Sequence, residues 1–104
     1  MDISLKHAGV GTLYVKAGGR LDLDSAVEYG TTITNEIYDS EDDIKELVLD
    51  FSEITFISSY GLKVILELYK QLKAKEGSLK IKNVSEEIRK SFNMVGFDKF
   101  LLFE

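Results

Sequence analysis

The sequence has 104 residues with no Cys, Pro or Trp, a 44% hydrophobic composition and a formal net charge of −5, which is typical of one globular domain over residues 1–104. The absence of Cys excludes disulfides, thiolate nucleophiles and Cys-based zinc sites, and the acidic balance disfavours nucleic acid as a partner. No apolar run is long enough to insert into a membrane, and residues 1–4 lack the features of a secretory signal, so we expect a cytoplasmic protein with no membrane insertion.

The first part of the chain predicts a β-hairpin followed by a helix. Apolar residues alternate with polar ones over residues 3–7, and again from Leu13 to the glycines at 18–19, with a Gly-containing turn between the two runs. Ser25 and Glu28 have the spacing of a capping box, in which each side chain satisfies a free backbone N–H at a helix start. Apolar residues then recur at helical spacing as far as Ile37.

The second part predicts alternating strands and helices. After an acidic loop over residues 39–46, the apolar run of residues 47–51 is typical of a strand covered on both faces, and we interpret residues 52–57 as its connection to a long helix over residues 59–74. A strand over residues 79–82 and a short helix that begins after Ser85 and ends at Gly96 follow. Residues 97–103 fit either a last strand or a closing helix. This order predicts an α/β fold with a largely covered sheet.

The most specific motif lies in residues 49–62, which read LDFSEITFISSYGL. This segment resembles the signature of STAS domains, the fold of bacterial anti-sigma factor antagonists and of the cytoplasmic tails of sulfate transporters. Residues 19–22 (GRLD) resemble the turn before the family's first helix, and residues 95–100 (VGFDKF) resemble its closing element. The resemblance covers nearly the whole chain and implies a single STAS-type domain, with a four- to five-stranded mixed sheet and helices packed mainly on one side.

The resemblance also implies a regulatory cycle in which this chain is not an enzyme. An unphosphorylated antagonist binds an anti-sigma factor, often a serine kinase with the histidine-kinase-like ATPase fold, and thereby frees a sigma factor for transcription. Phosphorylation breaks that complex, and a serine phosphatase resets it. The chain is then a phosphoprotein that regulates transcription by partner switching, and it needs no cofactor and no metal of its own.

In family terms Ser59 occupies the phosphorylation position, and Ser58 stands where many antagonists have Asp. Ser58 is the second choice for the phosphorylation site, and Ser58, Ser59 and Tyr60 are also expected to contact the partner. A Ser at a strand-to-helix junction can also simply cap the helix, and a phosphate there meets the positive end of the helix dipole. Tyr60 adds bulk beside the acceptor. Asp22 is a further candidate for partner binding, although an acid before a helix is more often a turn or capping residue.

The predicted helix over residues 59–74 has a wide apolar arc. Val64 and Leu68 extend it to roughly 200°, whereas packing on a sheet needs only about 100°. The extra width predicts either a partner-docking edge that includes Val64 and Leu68 or burial against a neighbouring helix. If Val64 lies on a docking edge, Val64→Asp should weaken partner binding with little loss of stability, whereas a large loss of stability would place Val64 in the core.

Two other functions stay open. The first is a STAS scaffold or accessory subunit of a stress-sensing or transport complex that never cycles through phosphate, which persistent co-purification with a larger assembly would favour. The second is a small enzyme or ligand-binding protein, which needs a pocket with convergent polar groups. His7 is the only His, on a predicted strand, and Ser59 has no recognisable His–acid partners for nucleophilic catalysis.

Overall fold

The computed structural model describes residues 1–104. Its strands are β1 (Ile3–His7), β2 (Thr12–Leu21), β3 (Glu46–Ile57), β4 (Ser78–Lys82) and β5 (Leu102–Phe103). Its α-helices are α1 (Leu23–Asp39), α2 (Ser59–Ala74) and α3 (Glu86–Met94), and a short 3₁₀ helix, Phe97–Lys99, precedes β5. The predicted order of elements is confirmed, and residues 97–103 contain both a helical turn and a two-residue strand.

The five strands form one sheet in the order β1-β2-β3-β4-β5. β1 is antiparallel to β2, and the other neighbouring pairs are parallel, with α1, α2 and α3 as their crossovers. Parallel crossovers are almost always right-handed, and here each crossover advances by one strand in the same direction. All three helices therefore lie on the same face, which confirms the mixed sheet with helices on one side.

The hydrophobic core lies between the helices and that face of the sheet. The centre of its sheet side is formed by two rows of residues that are paired in register and fully buried: Leu13, Leu47 and Leu79, and then Val15, Leu49 and Ile81. The helices contribute Ile33 from α1, Leu72 from α2 and Phe92 from α3 to the same cluster. None of the helices combines the length and apolar character that a membrane span requires.

The opposite face of the sheet carries no helix, contrary to the prediction of a strand covered on both sides. Val48 is buried but lies outside the core cluster, because it points to this second face. Its neighbours in register are Tyr14 and Lys80. The long side chains of these two residues flank Val48, so it is buried although no helix covers this face. The apolar run of residues 47–51 therefore predicted the strand correctly and its surroundings wrongly.

β3 is also longer than predicted. Residues 52–57 continue the strand instead of forming a connection, and they pair with β2 as far as Leu21 opposite Ile57. Register shifts between Lys16 and Gly18 and between Gly19 and Arg20 allow this pairing to continue. As a result β2 and β3 end side by side, and α1 and α2 begin next to each other at that edge.

Candidate phosphorylation and partner-binding site

The junctions from β2 to α1 and from β3 to α2 are held together by the backbone. The Ser58 N–H donates a hydrogen bond to the Leu21 carbonyl oxygen at 2.9 Å. Gly61 packs tightly against both junctions, because a Cβ at this position would lie 2.6 Å from Ile57 Cγ1 and 2.9 Å from the Leu21 carbonyl oxygen. Glycine is therefore required in the first turn of α2, and the start of this helix has a fixed position.

Ser58 is the N-cap of α2 and is half-buried. Its hydroxyl accepts a hydrogen bond from the Gly61 N–H at 3.2 Å and donates one to the Leu21 carbonyl oxygen at 3.0 Å. An Asp at this position could accept the first bond but could not donate the second when ionised. The predicted capping role of Ser58 is thus confirmed, and phosphorylation of this hydroxyl would disrupt both contacts.

Ser59 is the first residue of α2, and its side chain is exposed to solvent. Unlike Ser58, its hydroxyl makes no hydrogen bond within the protein. The N–H groups of Ser59 and Tyr60 belong to the first turn, where no intrahelical acceptor exists. A phosphate on Ser59 would therefore lie next to free donors and the positive end of the helix dipole.

Asp22 rather than Ser25 is the N-cap of α1. The Asp22 N–H donates to Ser25 Oγ at 3.0 Å, and the same Oγ lies 2.9 Å from Asp22 Oδ1. The predicted capping box of Ser25 and Glu28 was wrong, because the N-cap lies three residues earlier. The chain turns into α1 immediately after Leu21, the last residue of β2. Glu28 instead pairs with the amino group of Met1 at 3.2 Å. Asp22 remains exposed beside the junction that holds Ser58, so its partner-binding role stays a prediction.

Exposed apolar side chains surround the two helix starts. Tyr60 is exposed in the first turn of α2, and Leu23 is exposed in the first turn of α1. Phe56 is partly exposed at the end of β3, and the Arg20 guanidinium carbon lies 4.0 Å from its ring centroid, a cation–π arrangement. Leu23, Phe56 and Arg20 were not predicted as site residues. The pairing of Arg20 with Phe56 depends on the extension of β3, which the local pattern did not indicate.

Val64 and Leu68 do not form a docking edge. Leu68 is only 1% exposed and belongs to the core cluster, so the prediction that it contacts a partner was wrong. Val64 is half-buried in the seam between α1 and α2, where a Cβ on Gly30 would lie 2.8 Å from Val64 Cγ1. The width of the apolar arc therefore reflects burial against a neighbouring helix, which was the alternative left open by the sequence.

Asp50, the Asp of the sequence motif, lies on β3 and is 7% exposed. It links β3 to β2 and to the residue that follows β4. Its carboxylate accepts hydrogen bonds from the Tyr14 hydroxyl at 3.1 Å, the Ser52 N–H at 2.9 Å and Asn83 Nδ2 at 3.2 Å. Burial alone would raise the pKa of Asp50, but these hydrogen bonds to the ionised form outweigh it and lower the pKa. This part of the motif is therefore structural.

Other features of the molecule lie away from the two helix starts. An open cleft of about 520 Å³, whose lining includes Ser4, Lys16 and Glu53, contains none of the predicted site residues. His7 Nε2 lies 2.6 Å from Glu36 Oε2 and ties β1 to α1. No cluster of three or more His, Asp or Glu side chains is arranged to hold a metal ion.

The family model described as STAS domain matches residues 5–104 of this chain. In sequence the chain is similar to BtrV of Bordetella bronchiseptica, a protein assigned as an anti-sigma factor antagonist, with 36% identity over 53 residues. That match covers 51% of this chain and 46% of BtrV, so it spans about half the length of each.

Two solved proteins have a similar fold. One is an anti-sigma factor antagonist from Mycobacterium paratuberculosis, with 25% identity, a TM-score of 0.80, and coverage of 98% of this chain and 85% of the other. The second is SpoIIAA, an anti-sigma factor antagonist described as a Bacillus cell fate determinant. Its unphosphorylated form matches with 19% identity and a TM-score of 0.78, over 99% of this chain and 87% of that one. Its phosphorylated form matches with 20% identity and a TM-score of 0.76, over 99% and 91% respectively.

Proposed function

The chain belongs to the STAS domain family, and on this basis we propose that it is an anti-sigma factor antagonist that works by partner switching. Without phosphate it binds an anti-sigma factor that is also a serine kinase with the histidine-kinase-like ATPase fold. Phosphorylation of Ser59 releases that partner, and a serine phosphatase restores the binding form. The chain acts in the cytoplasm as a kinase substrate and a regulator of transcription, with the ATP bound by its partner.

The observation that carries this proposal is the difference between two adjacent serines. The Ser58 hydroxyl is half-buried and uses both its donor and its acceptor to fix the start of α2. The Ser59 hydroxyl is exposed and free of hydrogen bonds, so a kinase can reach it without breaking the fold. The geometry therefore favours Ser59 as the acceptor and Ser58 as the residue that positions it.

A phosphate at Ser59 can switch binding without unfolding the domain. It adds about −1.5 to −2 charge at neutral pH, which the free N–H groups of the helix start stabilise locally. A partner that covers Tyr60, Leu23 and Phe56 would bury that charge, and an uncompensated buried charge costs several kcal/mol. The similarity of this chain to both forms of SpoIIAA, with TM-scores of 0.78 and 0.76, supports a fold that is compatible with the modification.

Partner capture from the native cells tests this function. Tagged wild-type chain, Ser59→Ala and Ser59→Asp are each recovered, and the bound proteins are identified and quantified by mass spectrometry. We expect an anti-sigma factor with an ATPase domain to be bound by the wild type and by Ser59→Ala, and its recovery with Ser59→Asp to fall at least about tenfold, a change of 1.4 kcal/mol in binding free energy.

Thr31→Asp is the matched control, because Thr31 is exposed on α1 and the substitution adds the same charge away from the helix starts. It should retain the partner. Equal recovery of one larger assembly with every variant would contradict the switch, and would favour a scaffold or accessory subunit that is never phosphorylated.

A further inference from the structure

Ser59 and Lys63 lie on the same side of α2, about one turn apart, and both side chains are exposed. Residues four apart in a helix are separated by about 6 Å along the axis and about 40° around it, so their side chains are neighbours. Side chains of a helix also lean toward its N-terminus. The long side chain of Lys63 therefore extends from its own turn back toward Ser59.

The backbone that carries these two residues is held in place by the fold. Gly61 lies between them and packs tightly against the two junctions. Ile65, on the inner side of the next turn, is fully buried in the core cluster. The spacing between Ser59 and Lys63 is therefore fixed, and only rotations of their side chains are needed to bring a group on Ser59 against the Lys63 ammonium.

Lys63 has no counter-ion in the unphosphorylated chain. It forms no ion pair, and its ammonium group lies over no aromatic ring. Glu67, one turn further along α2, is exposed but is not paired with it. A lysine that precedes a glutamate by four residues is in the weaker orientation for an ion pair. The charge of Lys63 is therefore available to a group on Ser59.

The other charges around the start of α2 increase the need for a cation beside a phosphate. The first turn of α2 contains no acid, but Asp22 and Asp24 are exposed at the start of α1, and both add negative charge to this edge of the domain. Arg20 is already stacked on an aromatic ring of β3, on the face of the sheet that carries no helix. A phosphate on Ser59 therefore depends on Lys63 for a counter-ion within α2.

We propose that Lys63 binds the phosphoryl group on Ser59 and holds it against the first two turns of α2. This inference rests on the proposed phosphorylation of Ser59 and adds the side chain that receives the phosphate. A phosphate offers three strong acceptor oxygens to a lysine ammonium, and an anion four residues before a lysine is in the favourable orientation for an ion pair. Phosphorylation therefore stabilises the domain through Lys63, and it keeps the phosphate fixed at the place from which it excludes the partner.

Phosphoserine incorporated at position 59 during synthesis of the full chain tests this inference without the kinase. Wild type, Lys63→Gln and Lys63→Arg are each prepared with and without the phosphate, and thermal unfolding is followed by circular dichroism at neutral pH. Phosphorylation should raise the Tm of the wild type and of Lys63→Arg by about 2–4 °C more than that of Lys63→Gln. This difference should shrink below about pH 6, where the phosphate loses its second charge, and when salt is raised from about 0.05 M to about 0.5 M. In a phosphorus NMR titration, the pKa of the phosphate should be lower in the wild type than in Lys63→Gln, because the ammonium stabilises the doubly charged form.

Lys70→Gln is the matched control, because Lys70 is also exposed on α2 and the substitution makes the same charge change about 16 Å from Ser59 along the axis. It should leave the gain in Tm and the pKa of the phosphate as they are in the wild type. Equal gains in Tm and equal phosphate pKa values for wild type and Lys63→Gln would overturn the role of Lys63, and so would equal effects of Lys63→Gln and Lys70→Gln. Either result would leave the phosphorylation of Ser59 intact. The absence of phosphate on Ser59 in the native cells would instead refute the proposed function and leave the measured pairing unchanged.

Discussion

Replacement of Ser58 by Ala should destabilise the fold far more than replacement of Ser59. The substitution removes the side-chain cap of α2, which costs about 1 kcal/mol. It also removes the bond to the Leu21 carbonyl oxygen, which adds about 0.5–1 kcal/mol, although that oxygen keeps its bond from the Ser58 N–H. The expected loss is about 1.5–2 kcal/mol, equivalent to a fall in Tm of roughly 6–16 °C for a domain of this size.

Urea denaturation followed by far-UV circular dichroism measures this difference. Ser59→Ala should change the free energy of unfolding by less than about 0.5 kcal/mol, since its hydroxyl makes no contact that holds the fold. Ser58→Asp should lie between the two, because the carboxylate still accepts from the Gly61 N–H but cannot donate to the Leu21 carbonyl oxygen. Equal losses for the two Ala variants, or a larger loss for Ser59→Ala, would refute the division of roles between the serines.

Three other perturbations test the packing and the buried carboxylate. The pKa of Asp50 is lowered in the folded state, so its ionised form stabilises the fold at pH values above the ordinary pKa of 3.8, and this contribution is lost as the pH falls through the lower folded pKa. Asp50→Asn should remove this part of the pH dependence of urea unfolding. An unchanged pH profile would contradict the stabilising role of the Asp50 carboxylate. Gly30→Ala should destabilise the fold by about 1–2 kcal/mol despite the better helix propensity of Ala, because the new Cβ would lie 2.8 Å from Val64 Cγ1. Adding Val64→Ala to the same chain should recover part of this loss. Additive losses of the free energy of unfolding for the two substitutions would disprove the contact. Val64→Asp should cost at least about 2 kcal/mol in thermal unfolding, whereas a Tm close to that of the wild type would restore Val64 to an exposed edge.

The sequence predicted the elements well where local signals agreed. α2 has the predicted bounds, residues 59–74, because Ser58 caps it and an apolar stripe repeats at helical spacing. The start of α1 was missed because two capping boxes compete within seven residues. Asp22 with Ser25 prevails over Ser25 with Glu28, since Leu21 is still paired with Ile57 at the end of β2.

Which faces of the strands and helices are covered depends on the topology of the fold, and local sequence patterns do not contain that topology. The apolar run of residues 47–51 is compatible with cover on one face or on both. Only the strand order, with three crossovers in the same direction, puts every helix on one face. Likewise the helical wheel of α2 shows a wide apolar arc but not that Gly30 of α1 approaches Val64. That contact explains why Val64 is half-buried between the helices, while Leu68 belongs to the core cluster and is unavailable to a partner.

The candidate site was predicted in part. The motif located Ser58 and Ser59, and the structure separates their roles by burial and hydrogen bonding. The exposed Phe56 and its contact with Arg20 lay in a segment expected to be a loop, so no periodic signal marked them.

Phosphosite mapping by mass spectrometry, on the chain recovered from its native cells with and without stress, tests the central claim most directly. We predict phosphate on Ser59, with an occupancy that changes with stress, and none on Ser58. Phosphate on Ser58 would contradict the assignment of the two serines, and the absence of phosphate under every condition would contradict the partner-switching function.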